Sequence, residues 1–368
     1  MKNLNQLSWK KAIALGLIAT IATGAINILP LKAQSTTQPS STTPTASSSK
    51  RDYEQIYSLT GHKNDVNFLK FSANGQTLVS HSSGEAIKLW NLKTGKLLRT
   101  LNQKVYAAGI VAITPDVQTL VTVDRKAQAN DKTIKVWNLK TNKLLRTLNG
   151  HSQQVNRLEI SADGQTLVSA SDDKKVLVWN LKTGKLLHTI NPQSTPTLSI
   201  AVSPNGQLLA TGGGDNADQK NTSNDTSIKL WDIKTGKLLG TLEGHTSLIS
   251  SIAIAPDGQT LVSVADSIKI WNLRTQQLLH TIPASSGSIS ISADGQKLVT
   301  TSWDNSVKLW NLRTGTLVKT LFEASINDQT LGRLYTSSIA FSPDGKTLAI
   351  GSGGGLSGFG ISILRGSF

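Results

Sequence analysis

A phrase of twelve residues occurs six times in this chain of 368. It starts at Trp90 as WNLKTGKLLRTL and returns, slightly altered, from Trp137, Trp179, Trp231, Trp271 and Trp310. The spacing of about 40–50 residues is the period of architectures in which one small unit is copied and packed against its own copies. No other feature restricts the fold as strongly. A unit of this length cannot bury its apolar face alone, so each copy must be covered by the next.

The grammar of a unit is plain in residues 150–190, GHSQQVNRLEISADGQTLVSASDDKKVLVWNLKTGKLLHTI. Short β-rich runs (VNRLEIS, QTLVSAS, VLVWNL, KLLHTI) are separated by ADG, DDK and KTG, and no helical periodicity runs through them. Such a pattern predicts four-stranded antiparallel meanders. The first turn occurs seven times, at residues 73, 115, 162, 204, 256, 293 and 343, so there are seven units. The seventh ends as GISILRGSF, with Leu364 in the Trp position and no fourth strand after it. That strand is found at the other end: YSLTGH at 57–62 matches the fourth strand and Gly-His of other units but has no first three strands before it. The expected fold is all-β: a seven-bladed β-propeller of four-stranded antiparallel blades, its ring closed by pairing residues 55–60 with the last blade. Closure leaves no open sheet edge inside the ring.

These motifs resemble those of the WD-repeat family of β-propellers over residues 53–368. The resemblance is carried by Gly61-His62, Gly150-His151 and Gly244-His245, by the seven turns and by the six Trp residues. Only Trp231-Asp232 spells the dipeptide of the family name; the other five have Asn at 91, 138, 180, 272 and 311. The resemblance implies a polar network inside a blade. His151, Ser169, Asp173 and Trp179 match it in full, and His245, Ser263, Asp266 and Trp271 match with a shorter turn. His62, Ser80 and Trp90 lack the acid, since Gly84 stands in its place, while the units of Trp137, Trp231 and Trp310 keep Asp131, Asp225 and Asp304 but lack the His. The gaps do not endanger the fold. Burying a Trp contributes about 4–6 kcal/mol as an upper bound, against about 0.5–1.5 kcal/mol for one hydrogen bond.

Before the repeats, Lys2, Lys10 and Lys11 precede an apolar stretch at 12–31 and a small residue, Ala33. Residues 1–33 therefore read as an export signal, or as an N-terminal membrane anchor if uncleaved, since about 20 apolar residues just span a bilayer. Eleven of the next seventeen residues are Ser or Thr and none is a large apolar residue, so 34–52 reads as a disordered tether. The expected location is periplasmic or secreted, or membrane-anchored through 12–31. The net charge of +15 favours polyanions in general. Lys93, Lys140, Lys182, Lys234, Arg274 and Arg313, each three residues after the blade Trp, would form a positive circle. Nucleic acid is disfavoured by few aromatics for base stacking.

The chain has no cysteine, which removes disulfides, thiolate metal sites and Cys nucleophiles. Three of its six histidines belong to the blade motif; His188 and His280 read as solvated fourth-strand residues and His81 as isolated. No His spacing suggests a metal, the Asp residues of the PDG turns are explained by turn geometry, and the glycines at 351–360 precede a strand and do not form a phosphate loop. Neither a catalytic centre nor a cofactor is expected. Departures from the repeat are a better guide to function. Long turns at 124–131, 213–225 and 352–360 and a long connection at 322–334 all belong to one face of such a ring. That face is the expected docking surface for a protein or peptide partner, with Tyr106, Lys126, Asp215, Asp218, Trp303, Asn327 and Tyr335 as candidate contacts. An acidic glycan or anionic surface, bound by the positive circle, is the alternative, and an enzyme acting through the central channel of the propeller is a third, less favoured one. Oligomeric state is left open.

Overall fold

The computed structural model describes residues 53–105, 111–123, 132–192, 196–213, 225–284, 287–302, 306–322, 335–353 and 359–368. Residues 1–52, read above as an export signal or anchor and a tether, lie outside them. The described residues form seven four-stranded antiparallel sheets, and no helix occurs among them.

Six of the sheets are simple meanders. In the third, the strands Val155–Ile160, Thr166–Ser171, Val176–Asn180 and Leu186–Ile190 pair in chain order. Burial explains why the four runs differ in composition. The second strand, TLVSAS, is buried on both faces between neighbouring blades, so it is continuously small or apolar. The inner strand alternates, one face packed and one facing the channel. The outer strand is open. Its first two apolar residues remain half exposed in six blades, from Leu186 at 39% to Leu98 at 54%.

The seventh sheet is built from both ends of the described chain. Its order is Tyr53–Thr60, Gly360–Gly366, Thr347–Gly353, Tyr335–Phe341. Gln55 faces Leu364 and Leu59 faces Ile361, and Leu59 is 2% exposed. Tyr53, two residues before the sequence-based boundary, already belongs to the closing strand; its hydroxyl donates to the Leu321 carbonyl, and its ring stacks on Phe368 and lies tilted against Phe322. Leu364 pairs with Leu348 just as Trp179 pairs with Leu167, which places it in the Trp position. The first and seventh blades also meet at the inner wall, where Ser338 Oγ donates to the Val66 carbonyl at 2.7 Å.

Each of the six repeat tryptophans packs toward the preceding blade. Trp271 joins a cluster with Ala210, Leu230 and Leu242 of the fourth, and Trp310 one with Val262 and Ile270 of the fifth. The repeated phrase is thus a repeated interface. Its turn is fixed locally: Asn180 Oδ1 accepts the Thr183 amide at 2.8 Å, and Asp232 Oδ1 accepts that of Thr235 at 2.7 Å. Asn and Asp are equivalent here because only an acceptor oxygen is needed. In the first turn, Asp163 Oδ1 accepts from Ser161 Oγ and from the Gln165 amide, with Gly164 at φ 72°. The second blade has Val117 in that glycine position, at φ 56°, a conformation costly for a β-branched residue.

Candidate functional site

Three blades contain a hydrogen-bonded chain whose direction follows from donor chemistry. In the third, Trp179 Nε1 lies 2.9 Å from Ser169 Oγ, Ser169 Oγ 2.8 Å from His151 Nε2, and His151 Nδ1 3.0 Å from Asp173 Oδ2. An indole N–H only donates, so Ser169 accepts from it and donates its own proton to Nε2. Nε2 is then unprotonated, and Nδ1–H donates to the carboxylate. The fifth blade repeats this with Trp271, Ser263, His245 and Asp266 at 2.8, 2.7 and 2.9 Å. Burial pulls both imidazoles below the usual histidine pKa, against the opposing effect of the Asp partner. For Asp173, burial pushes upward, but the Ser152 amide and the histidine outweigh it and hold the carboxyl low.

The first blade is complete as well, contrary to expectation. Trp90, Ser80 and His62 are linked at 2.8 and 2.8 Å, and Glu85 supplies the missing acid at 2.9 Å from Nδ1. Its second oxygen accepts the Lys63 amide at 2.8 Å, as Asp173 accepts that of Ser152. The longer Glu side chain spans the one-residue displacement from Gly84. In the blades without a histidine, Trp137, Trp231 and Trp310 each donate at 3.0 Å to a threonine: Thr122, Thr211 and Thr300. The choice of Ser with His and Thr without it was visible in the sequence as a paired substitution. Asp225, in a blade without the histidine, turns to Ser227 and Lys229 instead; these bonds hold its pKa low although burial pushes it up. Asp131 and Asp304 lie outside the described residues.

By distance alone, Ser–His–Asp suggests a nucleophile and its base. Yet Ser80, Ser169 and Ser263 have no exposure at all, and each hydroxyl oxygen already accepts an indole N–H. A substrate carbonyl has no approach, so these chains are parts of the frame. No group of three His, Asp or Glu side chains suited to a metal occurs among the described residues.

The outer rim carries a second set of contacts that sequence reasoning missed. Arg99 donates to the Lys140 carbonyl at 2.9 Å, Arg146 to that of Lys182, Tyr57 Oη to that of Lys93 at 2.8 Å, and His280 Nε2 to that of Arg313 at 2.7 Å. Each joins an outer strand to the third turn of the next blade. His280 is therefore a latch between blades and not merely a solvated side chain; His188 packs against Gly236 in the matching place. The backbone of the positive circle is thereby anchored, while Lys93, Lys140, Lys182, Lys234, Arg274 and Arg313 are exposed. His81 is fully buried, with Nδ1 3.2 Å from Asn67 Oδ1.

Among the candidate contacts, Tyr106, Lys126, Asp215, Asp218, Trp303 and Asn327 lie outside the described residues, and Tyr335 opens the inner strand of the seventh blade. On the same side as the second turns, a cleft of about 530 Å³ is bordered by Asp225, Lys229, Glu243 and His245.

Comparison with known proteins agrees with this architecture. The family model described as "WD domain, G-beta repeat" matches residues 53–91, 142–180, 184–232, 236–272 and 276–311, more than half of the chain. The chain is 46% identical over 46 residues to a WD repeat-containing protein 89 homolog of Dictyostelium discoideum, covering 12% of this chain and 13% of that protein. It is 34% identical over 73 residues to an uncharacterized WD repeat-containing protein of Synechocystis, covering 20% and 21%. It is 48% identical over 44 residues to a Lissencephaly-1 homolog of Caenorhabditis briggsae, covering 12% and 11%. The matched segments thus span only about a tenth to a fifth of these relatives.

Proposed function

Given that the chain belongs to the WD-repeat family, we propose that it is a non-enzymatic scaffold that binds a protein or peptide through the face formed by the second turns and the blade-to-blade connections. The observation that carries this reading is where the repeat is interrupted. Between second and third strands, the third blade has four residues, 172–175, whereas the second has ten, 124–133, and the fourth fourteen, 214–227. The sixth and seventh blades are joined across 323–334. The opposite turns are uniform, with Gly75, Gly164, Gly206, Gly258, Gly295 and Gly345 all at φ 67–72°. Lengthening a loop costs little, about 0.6 kcal/mol per doubling, so the frame tolerates variation here, and aromatic residues such as Tyr106 and Trp303 are suitable anchors. The test is capture of partners from envelope extract by the intact chain and by variants shortened within 213–225 and 322–334. Loss of the same partners in both variants is expected; retention rejects this face.

A second reading is favoured by the exposed ring of Lys93, Lys140, Lys182, Lys234, Arg274 and Arg313: attraction to an acidic glycan or anionic surface. Its affinity would fall steeply with salt, as the screening length drops to about 8 Å at physiological ionic strength. Salt-insensitive binding dismisses it. Export rests on residues 1–33, and N-terminal sequencing of the mature chain reads whether the signal is removed.

A further inference from the structure

The inner strands enclose a channel of about 400 Å³, within the size range of small-molecule sites. Register places equivalent residues of the blades in layers around it. One layer consists of Phe68, Arg157, Ser199, Ser251, Ser288 and Ser338, paired respectively with His81, Ala170, Gly212, Val264, Thr301 and Gly351 of the second strands. Arg157 is its single charge among the described residues. In the next layer Lys70 and Glu159 stand among Ala112, Ala201, Ala253 and Ala340.

A repeat that supplies serine at this position four times gives no structural reason for an arginine. Arg157 Nη1 donates to the Asn156 carbonyl at 3.0 Å. Among the described residues no carboxylate stands at ion-pair distance from it, and the ion pairs they form lie elsewhere. Burial draws the guanidinium's pKa below its ordinary value and raises that of the Glu159 carboxyl, against the charge of Lys70. Both shifts reflect poor solvation of charge inside the channel. Arg157 is half-buried and keeps N–H donors beyond its one carbonyl partner, and a guanidinium presents a planar fork suited to two oxygens.

We propose that the central channel binds a small oxyanion, a carboxylate or phosphoryl group, through Arg157, with Ser199 and Ser251 hydroxyls on the inner strands of the next two blades. The site is distinct from the loop face and goes beyond the scaffold reading.

Full-length protein is titrated with inorganic phosphate and, separately, with acetate, at constant ionic strength maintained with sodium chloride. Heat of binding and the thermal midpoint are recorded. Saturable binding of one anion per chain that raises the midpoint is expected. In Arg157→Gln the affinity falls about tenfold or more, the loss expected for a hydrogen bond to a charged group; in Lys182→Gln, on the outer circle, it is unchanged. If neither anion binds the wild-type chain beyond chloride, or if binding survives in Arg157→Gln, the proposal is overturned. Should that variant fail to fold, Arg157→Lys is read in its place, since it keeps the charge and loses the fork. Undiminished affinity there overturns the proposal equally.

Discussion

Replacing Ser169 by Ala removes one oxygen atom and disturbs two buried partners. Trp179 is 2% exposed and loses its acceptor at 2.9 Å; His151 Nε2 loses its donor at 2.8 Å. Ser169 Oγ is the hydrogen-bond partner of both nitrogens, and its own exposure is zero, so water does not reach it. Leaving a buried group unsatisfied costs about 1–3 kcal/mol, so Ser169→Ala should destabilise the protein by about 2–6 kcal/mol, far beyond the value of a surface serine. Thr300→Val is the internal comparison. It strands only the Trp310 indole, because that blade has no histidine, and should cost about 1–3 kcal/mol. The sharper test is the cycle with Trp179→Phe. Phenylalanine has no N–H to strand, so the double variant should be at least about 1 kcal/mol more stable than the sum of the singles predicts. Urea unfolding at neutral pH, followed by circular dichroism and tryptophan fluorescence, reads all four; coincident transitions justify the free energies. A cost for Ser169→Ala within about 0.5 kcal/mol of zero, or strict additivity, would refute the directed-chain account.

Two further expectations concern the whole ring. Leu59, buried in the closing strand, should lose about 2–5 kcal/mol on truncation to Ala, as a core leucine does; faster hydrogen exchange at Ile361 and Ile363 would report it, and a midpoint like that of wild type would show the strand to be dispensable. The second is a dependence on pH. His62, His151 and His245 have folded pKa values below that of the unfolded chain, each through burial. Between the folded value and about 6.5 the unfolded state binds more protons. Their contribution is therefore complete above pH 6.5 and is lost as pH falls through the folded values, at up to about 1.4 kcal/mol per pH unit for each histidine. A flat stability profile between pH 7 and 5 would contradict this, and His151→Gln should make the slope shallower.

Much of the frame was legible in the residues. Period, strand count, turn chemistry and the strand shared between chain ends are all written locally, because a β-turn needs its Gly or Asn and a sandwiched strand needs its apolar run wherever they fall. Glu85 was not legible: the motif places its acid one residue earlier, and only the reach of the longer side chain in three dimensions completes the network. The outer latches were hidden for a related reason. Two arginines, a tyrosine and a histidine (Arg99, Arg146, Tyr57 and His280) fill the same role, and their partner is a main-chain carbonyl 33–41 residues away, which carries no sequence signal.

The sequence by itself determined that this chain makes seven sheets and that both ends of the repeat array share one of them, since hydrophobic period and turn residues act within a few positions. Only the tertiary structure decided which charges meet. Closing the ring turns one face of every inner strand toward a common axis, and Arg157 and Glu159, ordinary polar residues in a strand when read along the chain, become half-buried groups lining a channel, where both are less well solvated in their charged forms. Solvation depends on what surrounds a group from all sides, and that is a property of the assembled ring.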